Sequence, residues 1–296
     1  MKQQTLWDKQ HQRLAEKLMI LADKPEETLE VTLKALWHMA AGNPNSAEVA
    51  ARLELPVLLM NQEKELDDLV GQRLNGTPLA YITGRQQFLG VELLAGPEAL
   101  IPRKETEILG QAVLAILNTL AINQDKITLM DVCTGAGNLV ASLAVKVPKV
   151  RGYASDLSVD AVSLAQQNVN FHQLENRVDV RDGDLLSPFD NGDFHHQVDV
   201  LLCNPPYIST TRVAEMPKEI SEHEPHLAFD GGPFGIKILN SLMKQAPKFL
   251  KPGGWLAFEV GVGQGNSIVK KMKKNYSNVK TVPDNHGEIR VVMGQV

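Results

Sequence analysis

The stretch Leu201-Leu202-Cys203-Asn204-Pro205-Pro206-Tyr207-Ile208 decides how the chain is read. An apolar run from Val198 to Leu202 leads into it, broken only by Asp199. That run has the length and composition of a buried strand. The two prolines end it, because each fixes φ and lacks an N–H. An asparagine and a tyrosine therefore stand on a stiff turn at the carboxyl end of a strand. In an open α/β sheet that edge is where ligands bind. An ordinary strand exit with a rigid loop would read the same way, so the surrounding sequence has to decide.

Around this stretch, from Lys126 onward, strand and helix patterns alternate. Strands are predicted at Ile127 to Val132, Val150 to Ser155, Val178 to Val180, Val198 to Leu202 and Trp255 to Val260. Helices fall at Asn138 to Lys146, from a Ser158 cap to about Phe171, from about Gly235 to Leu250, and before Lys270-Lys271-Met272-Lys273-Lys274. A turn is expected at Lys251-Pro252-Gly253-Gly254. Two last strands, Val279 to Val282 and Ile289 to Met293, lack a convincing helix between them and would pair as an antiparallel hairpin at the sheet edge. The fold class is therefore α/β: a mostly parallel seven-stranded sheet with helices on both faces.

Residues 1–76 read as helical, with apolar positions at helical spacing. Leu14, Leu18, Met19 and Ala22 form one set, and Leu29, Leu33, Leu36, Trp37 and Ala40 a second. A short helix is expected from Ser46 to Leu53, and a longer one carries Leu58, Leu59, Leu66, Leu69 and Val70. Such helices suit either a bundle that only packs or a domain that recognises a macromolecular substrate. Residues 77–102 break into strand-like pieces, Tyr81-Ile82, Phe88-Leu89 and Val91-Glu92-Leu93, separated by glycines. They predict a β-hairpin linker to a catalytic domain at 103–296. Arg103, Glu105 and Glu107 precede an apolar helix, Ile108 to Leu120, and would either charge its start or wall an active site.

The first strand of the alternating region runs into Asp131-Val132-Cys133-Thr134-Gly135-Ala136-Gly137. Small residues there allow a tight turn and close approach of a ligand to the backbone. The full dinucleotide fingerprint and a phosphate-loop G-K-[ST] are both absent. Asp131 would repel a pyrophosphate but suit a cationic amino-acid portion of a cofactor. Asp156 closes the next strand, where a carboxylate can accept from both hydroxyls of a ribose. Asp184 is placed for an adenine amino group, with Asp182 as the competitor. Each acid alone could be a cap or a turn residue; together they favour a nucleoside site.

At the opening turn, the Asn204 side-chain carbonyl and the Pro205 backbone carbonyl are two adjacent acceptors. Two acceptors side by side hold a planar NH₂ by both hydrogens, orient its nitrogen and disfavour its conjugated state. Tyr207 would pack against that planar group or fill the core. Nitrogen methylation fits both the turn and the acids.

Composition narrows the alternatives. The 296 residues carry 43% hydrophobic and 22% charged residues and a net charge of -5, which argues against an extensive nucleic-acid groove. A nucleic-acid base methyltransferase would need a basic surface, and Lys270 to Lys274 reads as a solvated helix end. Two cysteines, Cys133 and Cys203, are too few for a disulfide framework and fit a reducing compartment. The polar start Met1-Lys2-Gln3-Gln4 is unlike a secretory signal, and no apolar run suits a membrane span, so a cytoplasmic protein is expected. His195-His196, His223 and His226 form no metal-ligand pattern, and no metal is expected. Glu259, in Phe258-Glu259-Val260-Gly261, would either border the site or serve structure.

From about residue 73 the sequence resembles the bacterial release-factor glutamine N5-methyltransferases, within the class I S-adenosylmethionine-dependent methyltransferases. The likeness rests on Pro78 to Gly84, Phe88-Leu89-Gly90, Leu100 to Glu107, Asp131 to Gly137 and Asp156. It continues through Asn204 to Ile208, Glu224 to Gly232 and Lys251-Pro252-Gly253-Gly254. Asn-Pro-Pro-Tyr alone is shared with methyltransferases acting on DNA adenine, rRNA guanine and a ribosomal protein. Its combination with Ile101-Pro102-Arg103 and Glu105-Thr106-Glu107 is more specific. The resemblance implies transfer of a methyl group from S-adenosylmethionine to the glutamine amide nitrogen of the Gly-Gly-Gln motif in class 1 peptide-chain release factors, leaving S-adenosylhomocysteine. It implies cofactor contacts from Asp131, Thr134, Gly135, Gly137, Asp156, Asp184 and Asn204. Substrate contacts would come from Asn204, Pro205, Pro206, Tyr207, Arg103 and Glu107, with Asn204, Pro205 and Tyr207 at the chemistry. The helical domain would engage the release factor as the protein substrate of a monomer that touches no nucleic acid.

Against the family pattern Asp-Leu-Gly-Thr-Gly-Ser-Gly, this chain has Cys133 for a glycine and Ala136 for a serine. Lys104 stands where proline is usual, and His226 where arginine is common. The closing pattern keeps an Asp, Gly287 and Arg290 between Asp284 and Arg290. The cysteine places a side chain where φ or space is restricted, which bears on cofactor affinity.

Overall fold

The computed structural model describes all residues except Met1, Ala22, 209–217, Glu222, His226, Ala228 and 230–235. The Glu224 to Gly232 family stretch, the His226 departure and the expected helix start near Gly235 fall partly or wholly outside the described residues.

Five helices come first: α1 (Lys2–Lys17), α2 (Leu29–Ala40), α3 (Ala47–Ala50), α4 (Met60–Leu74) and α5 (Leu79–Thr83). Their apolar faces close on Leu14, Leu33, Leu36, Trp37, Leu66 and Val70. The Thr28 side chain caps α2 by accepting from Val31 N. Three expectations shift here. Helix α1 stops at Lys17, so Met19 lies outside it and is exposed. Helix α3 is one turn long rather than reaching Leu53. Tyr81 and Ile82 lie in α5, not in a strand, and Gly84, at φ +65°, ends that helix in the left-handed conformation.

The hairpin β1 (Arg85–Phe88) and β2 (Val91–Leu94) pairs antiparallel. Phe88, Val91 and Leu93 bury into the core of the following sheet rather than into the helical segment. Asn168 bolts the hairpin down. Its side chain accepts from Leu94 N at 2.7 Å and donates to Leu94 O at 3.1 Å and Ala136 O at 2.9 Å.

The sheet holds β3 (Ile127–Val132), β4 (Val150–Asp156), β5 (Val178–Asp182), β6 (Val198–Cys203), β7 (Leu250–Glu259), β8 (Ser277–Pro283) and β9 (Ile289–Gln295), in the order β5-β4-β3-β6-β7-β9-β8. Strands β3 to β7 are parallel; β9 pairs antiparallel with both β7 and β8. The expected edge hairpin is therefore present. Helices α6 (Glu107–Leu120), α7 (Asn138–Lys146) and α8 (Val159–Phe171) supply Leu109, Val113, Leu139, Leu143 and Val169 to one face. After the one-turn α9 (Lys218–Ser221), helices α10 (Lys237–Phe249) and α11 (Gly265–Met272) cover the other with Leu239, Leu242, Phe249 and Ile268.

Asp199, the one acid in the β6 run, is buried but satisfied: it accepts from Thr128 N at 2.8 Å and pairs with Lys251 Nζ at 2.7 Å. The Lys251-Pro252-Gly253-Gly254 turn becomes a bulge inside β7, because Val198 pairs with Leu250 while Val200 pairs with Trp255.

The chain order reverses beside β3. Strands β4 and β5 lie on one side of it and β6 on the other. Val132 of β3 registers with Ser155 of β4 and Cys203 of β6, so the three strands end level. A crevice opens at such a switch point.

Candidate active site

Two cavities meet at the strand ends. The first, with about 1040 Å³ of space including its open mouth, is the larger by that measure. Thr134, Gly135, Asp156, Asp184, Asn204, Pro206 and Arg103 line it, and so do Cys133, Glu98 and Asn138. The second, about 640 Å³, is lined by Asn204, Pro205, Tyr207, Glu105, Asp23 and Phe229, among others. Leu100, Arg103, Thr106 and Asn204 border both. The turn after β6 is thus the partition between two chambers.

On the larger side, the β3–α7 turn is built to approach a ligand. Gly135 has φ +56° and open space where a Cβ would stand. Its N–H donates to Asp156 Oδ2 at 2.8 Å, while Asp156 Oδ1 accepts from Ser158 N at 3.0 Å. Each carboxylate oxygen keeps a second lone pair for a hydroxyl facing the cleft. Ser158 also caps α8, accepting from Ala161 N. Asp184 reaches the cleft; Asp182, its competitor, is exposed and does not line it.

Two residues expected at the cofactor, Asp131 and Gly137, line neither cavity. Asp131 is fully buried and lines neither cavity. Its Oδ2 accepts from Thr134 Oγ1 at 2.7 Å and Val140 N at 3.2 Å, so it ties the turn to α7. Burial pushes its pKa up to about 7 against those two donors. Gly137, at φ +75°, sits where a Cβ would stand 3.1 Å from Ala165 Cβ, so it lets α7 start close to α8. Cys133 has φ +58° and Cys203 is buried at the end of β6, where burial, then the neighbouring Cys133 thiol, pushes the Cys203 thiol's pKa up. The substitution of the usual glycine therefore falls on a left-handed position.

On the smaller side, Asn204 Nδ2 donates to Thr106 Oγ1 at 3.0 Å. Its Oδ1 is buried and has no hydrogen-bond partner among the described residues. Tyr207 OH donates to Glu105 Oε1 at 3.4 Å and accepts from Arg290 Nη2 at 3.3 Å, with the Arg290 guanidinium 5.9 Å from the ring centroid. Burial, then the charges of Glu259 and Glu105, raise the tyrosine's pKa. Arg103 Nη2 binds Glu224 Oε1 at 2.6 Å, its Nε lies 3.5 Å from Asp23 Oδ2, and its buried Nη1 has no partner among the described residues. It does not cap α6. Glu107, expected beside the site, is turned away: it accepts from Leu89 N at 2.9 Å, pairs with Lys104 at 3.5 Å and lines neither cavity. Glu105, two residues earlier, faces the second chamber in its place.

Sequence reading passed over Thr106, Glu98, Asn138 and Asp23. Only Thr106 carried a signal, as the centre of the quoted Glu105-Thr106-Glu107. His195 pairs with Asp190 in a loop, at 2.8 Å. Among the described residues no group of His, Cys, Asp and Glu is placed to hold a metal ion, and no helix is long and apolar enough to cross a membrane.

Comparison with known proteins decides the family. Residues 107–234 match the methyltransferase small domain. The release factor glutamine methyltransferase of Koribacter versatilis is 35% identical over 277 residues, covering 88% of this chain and 95% of the relative. The chain belongs to the release factor glutamine methyltransferases. That of Moorella thermoacetica is 36% identical over 275 residues, covering 87% of this chain and 94% of the relative. Among solved structures, the hMettl16 catalytic domain in complex with MAT2A 3'UTR hairpin 6 is similar in fold, with TM-score 0.55 and 16% identity over 77% of this chain and 82% of that one. This chain is a methyltransferase, and family and fold together support S-adenosylmethionine as its cofactor.

Proposed function

We propose that the protein methylates the side-chain amide nitrogen of the glutamine in the Gly-Gly-Gln motif of class 1 peptide-chain release factors. The observation that carries this reading is the buried, unpartnered Asn204 carbonyl on the wall between the two chambers. An acceptor there lacks its donor until a substrate N–H arrives, and leaving it unmet costs on the order of 1–3 kcal/mol. In the family the donor is a glutamine amide.

Asp156 would hold ribose hydroxyls, Asp184 an adenine amino group, and Gly135 and Thr134 the methionyl portion of S-adenosylmethionine. When bound, the cofactor supplies an electrophilic methyl group. Asn204 Oδ1 and the Pro205 carbonyl would take the two amide hydrogens. They hold the nitrogen lone pair toward the larger chamber. Pro206 and Tyr207 would wall the amide, and Arg103 the passage between chambers. Attack needs alignment more than a strong base, because the methylated nitrogen is acidic enough to lose its proton afterwards. The chemistry calls on no metal.

Residues 1–76 would recognise the release factor, with 77–102 as linker and 103–296 as the catalytic domain. The protein would act as a cytoplasmic monomer without touching nucleic acid. The test uses purified protein, labelled S-adenosylmethionine and two release factors, one intact and one with the Gly-Gly-Gln glutamine replaced. Label should enter only the intact factor and largely disappear with Asn204→Ala. Equal labelling of both factors refutes the target.

A further inference from the structure

Thr106 and Glu259 adjoin the reactive turn and have no role in the substrate contacts proposed above. Glu259 is fully buried at the end of β7. Four groups from three segments act on its carboxylate: Thr106 and Glu105 just before α6, Tyr207 from the reactive turn, and Arg290 from β9. The Arg290 Nη2 lies 3.3 Å from Oε1, while Oε2 closes no hydrogen bond. An ionised carboxylate can only accept. A threonine hydroxyl has a single proton. Because Asn204 Nδ2 donates to the Thr106 oxygen, the Thr106 proton is left for an acceptor on its other side, and the Glu259 carboxylate is the group that acts on it there. That polarity turns Oδ1 into the site.

We propose that Thr106, oriented by Glu259, is a positioning residue that fixes the amide of Asn204 with its carbonyl toward the substrate. Without that hydroxyl the side-chain amide is free to rotate by half a turn, which would present two donors to a substrate NH₂ and repel it. The inference rests on the nitrogen-methylation reading for its consequence, but not for its geometry. Burial pushes the pKa of Glu259 up to about 7, and the Arg290 charge and the Thr106 and Tyr207 hydroxyls oppose that rise while Glu105 adds to it. Protonated Glu259 could donate to Thr106 and release the polarity, so turnover should fall as pH drops through this region.

Two independent readouts test this. The first is turnover on the release factor. Thr106→Val should lower kcat roughly 10–100-fold, less than the ~10²–10³-fold lost when a preorganised donor is removed from the reacting atoms themselves. S-adenosylmethionine affinity and KM should stay within about threefold of wild type. Thr106→Ser should restore most of kcat, and Glu259→Gln should remove the acidic limb of the kcat profile. The second needs no activity: solvent exchange of the Asn204 side-chain NH₂, followed by NMR on ¹⁵N-asparagine-labelled protein and assigned with Asn204→Asp. Exchange should rise at least about tenfold in Thr106→Val and return in Thr106→Ser. Unchanged exchange in Thr106→Val overturns the positioning role, as does unchanged kcat where wild type is active. If wild type fails to methylate the release factor, the function fails, and the exchange measurement still judges this inference.

Discussion

Replacing Arg103 by methionine should destabilise the protein more than replacing both Arg103 and its partner. The Arg103 and Glu224 side chains are 8% and 0% exposed and meet at 2.6 Å. Burial would lower the guanidinium's pKa, but Glu224 and Asp23 outweigh it and hold the pKa above the usual arginine value. The pair also has a structural load: Glu224 Oε2 accepts from Ile101 N at 3.1 Å and so pins the Ile101-Pro102-Arg103 segment that borders both chambers. In Arg103→Met the Glu224 carboxylate stays buried with only the Ile101 N–H as partner. Removing one member of such a pair costs about 3–5 kcal/mol, most of it the uncompensated charge. At a slope of about 3 kcal/mol/M that is a loss of roughly 1–2 M in the urea midpoint. In Arg103→Met/Glu224→Gln the charge is gone and the amide carbonyl still accepts from Ile101, so the cost should fall to about 1–2 kcal/mol.

The assay is a double-mutant cycle: urea midpoints for wild type, both single variants and the double variant, with methyl transfer on each. The expected signature is a double variant that is more stable than Arg103→Met alone and just as inactive, because the unpartnered Nη1 at the junction of the chambers is lost in both. Additive destabilisation would show that the pair is not coupled. Recovery of activity together with stability would show that Arg103 only braces Glu224.

Other expectations follow from single sites. Cys133→Gly relieves a left-handed non-glycine at φ +58°, worth about 1–2 kcal/mol, against roughly 0.5–1 kcal/mol of added chain entropy; thermal unfolding should show equal or higher stability, with cofactor affinity by calorimetry equal or tighter. Asp131 is a raised acid, about 7 folded against 3.8 as its ordinary value, so its protonated form favours folding. That contribution is complete below about pH 4 and is lost as pH rises to 7; urea unfolding at pH 5 and pH 8 should show Asp131→Asn gaining on wild type at the higher pH. Asn168→Ala should cost about 2–4 kcal/mol and raise amide exchange first in Val91–Leu94, because three hydrogen bonds tying that strand and the β3–α7 turn to α8 disappear.

What could be read before folding was mostly what local chemistry forces. Two prolines stop a strand wherever they occur, and Ser158 caps whatever helix follows it, so the Asn204 turn and the start of α8 were plain in the sequence. Tyr81-Ile82 was not: two apolar residues fit a strand or one helical turn, and packing against the helical core settled it for α5. Asp131 and Glu107 looked functional because acids beside a glycine turn or an arginine usually are. Both carboxylates are spent on backbone N–H groups, of Val140 and Leu89. Thr106 stood in the quoted Glu105-Thr106-Glu107, but its role was hidden for the opposite reason, since its partner lies 98 residues away and no local pattern announces that contact.

The same distance explains why the partition between the chambers is held from outside the turn. Asn204-Pro205-Pro206-Tyr207 is stiff along its backbone, but stiffness of φ does not choose which end of an amide faces the substrate. That choice comes from α6 and β7, through Thr106 and Glu259. The passage beside it is set by Glu224, which follows α9, and by Asp23 of the α1–α2 loop. Those segments are joined again by buried pairs in which Glu219 of α9 binds Lys24 at 3.0 Å and Arg73 at 2.9 Å, and Arg73 binds Glu27 at 3.3 Å. A protein docked on the helices therefore pushes on side chains that are continuous with the arginine at the junction. A free glutamine side chain makes no such contact. With the release factor docked on the helices as proposed, recognition and amide alignment would be mechanically one structure, and cutting Arg73–Glu219 with Arg73→Met should lower turnover on an intact release factor more than turnover on a short Gly-Gly-Gln peptide. Equal losses on both substrates would separate the helical segment from the chemistry.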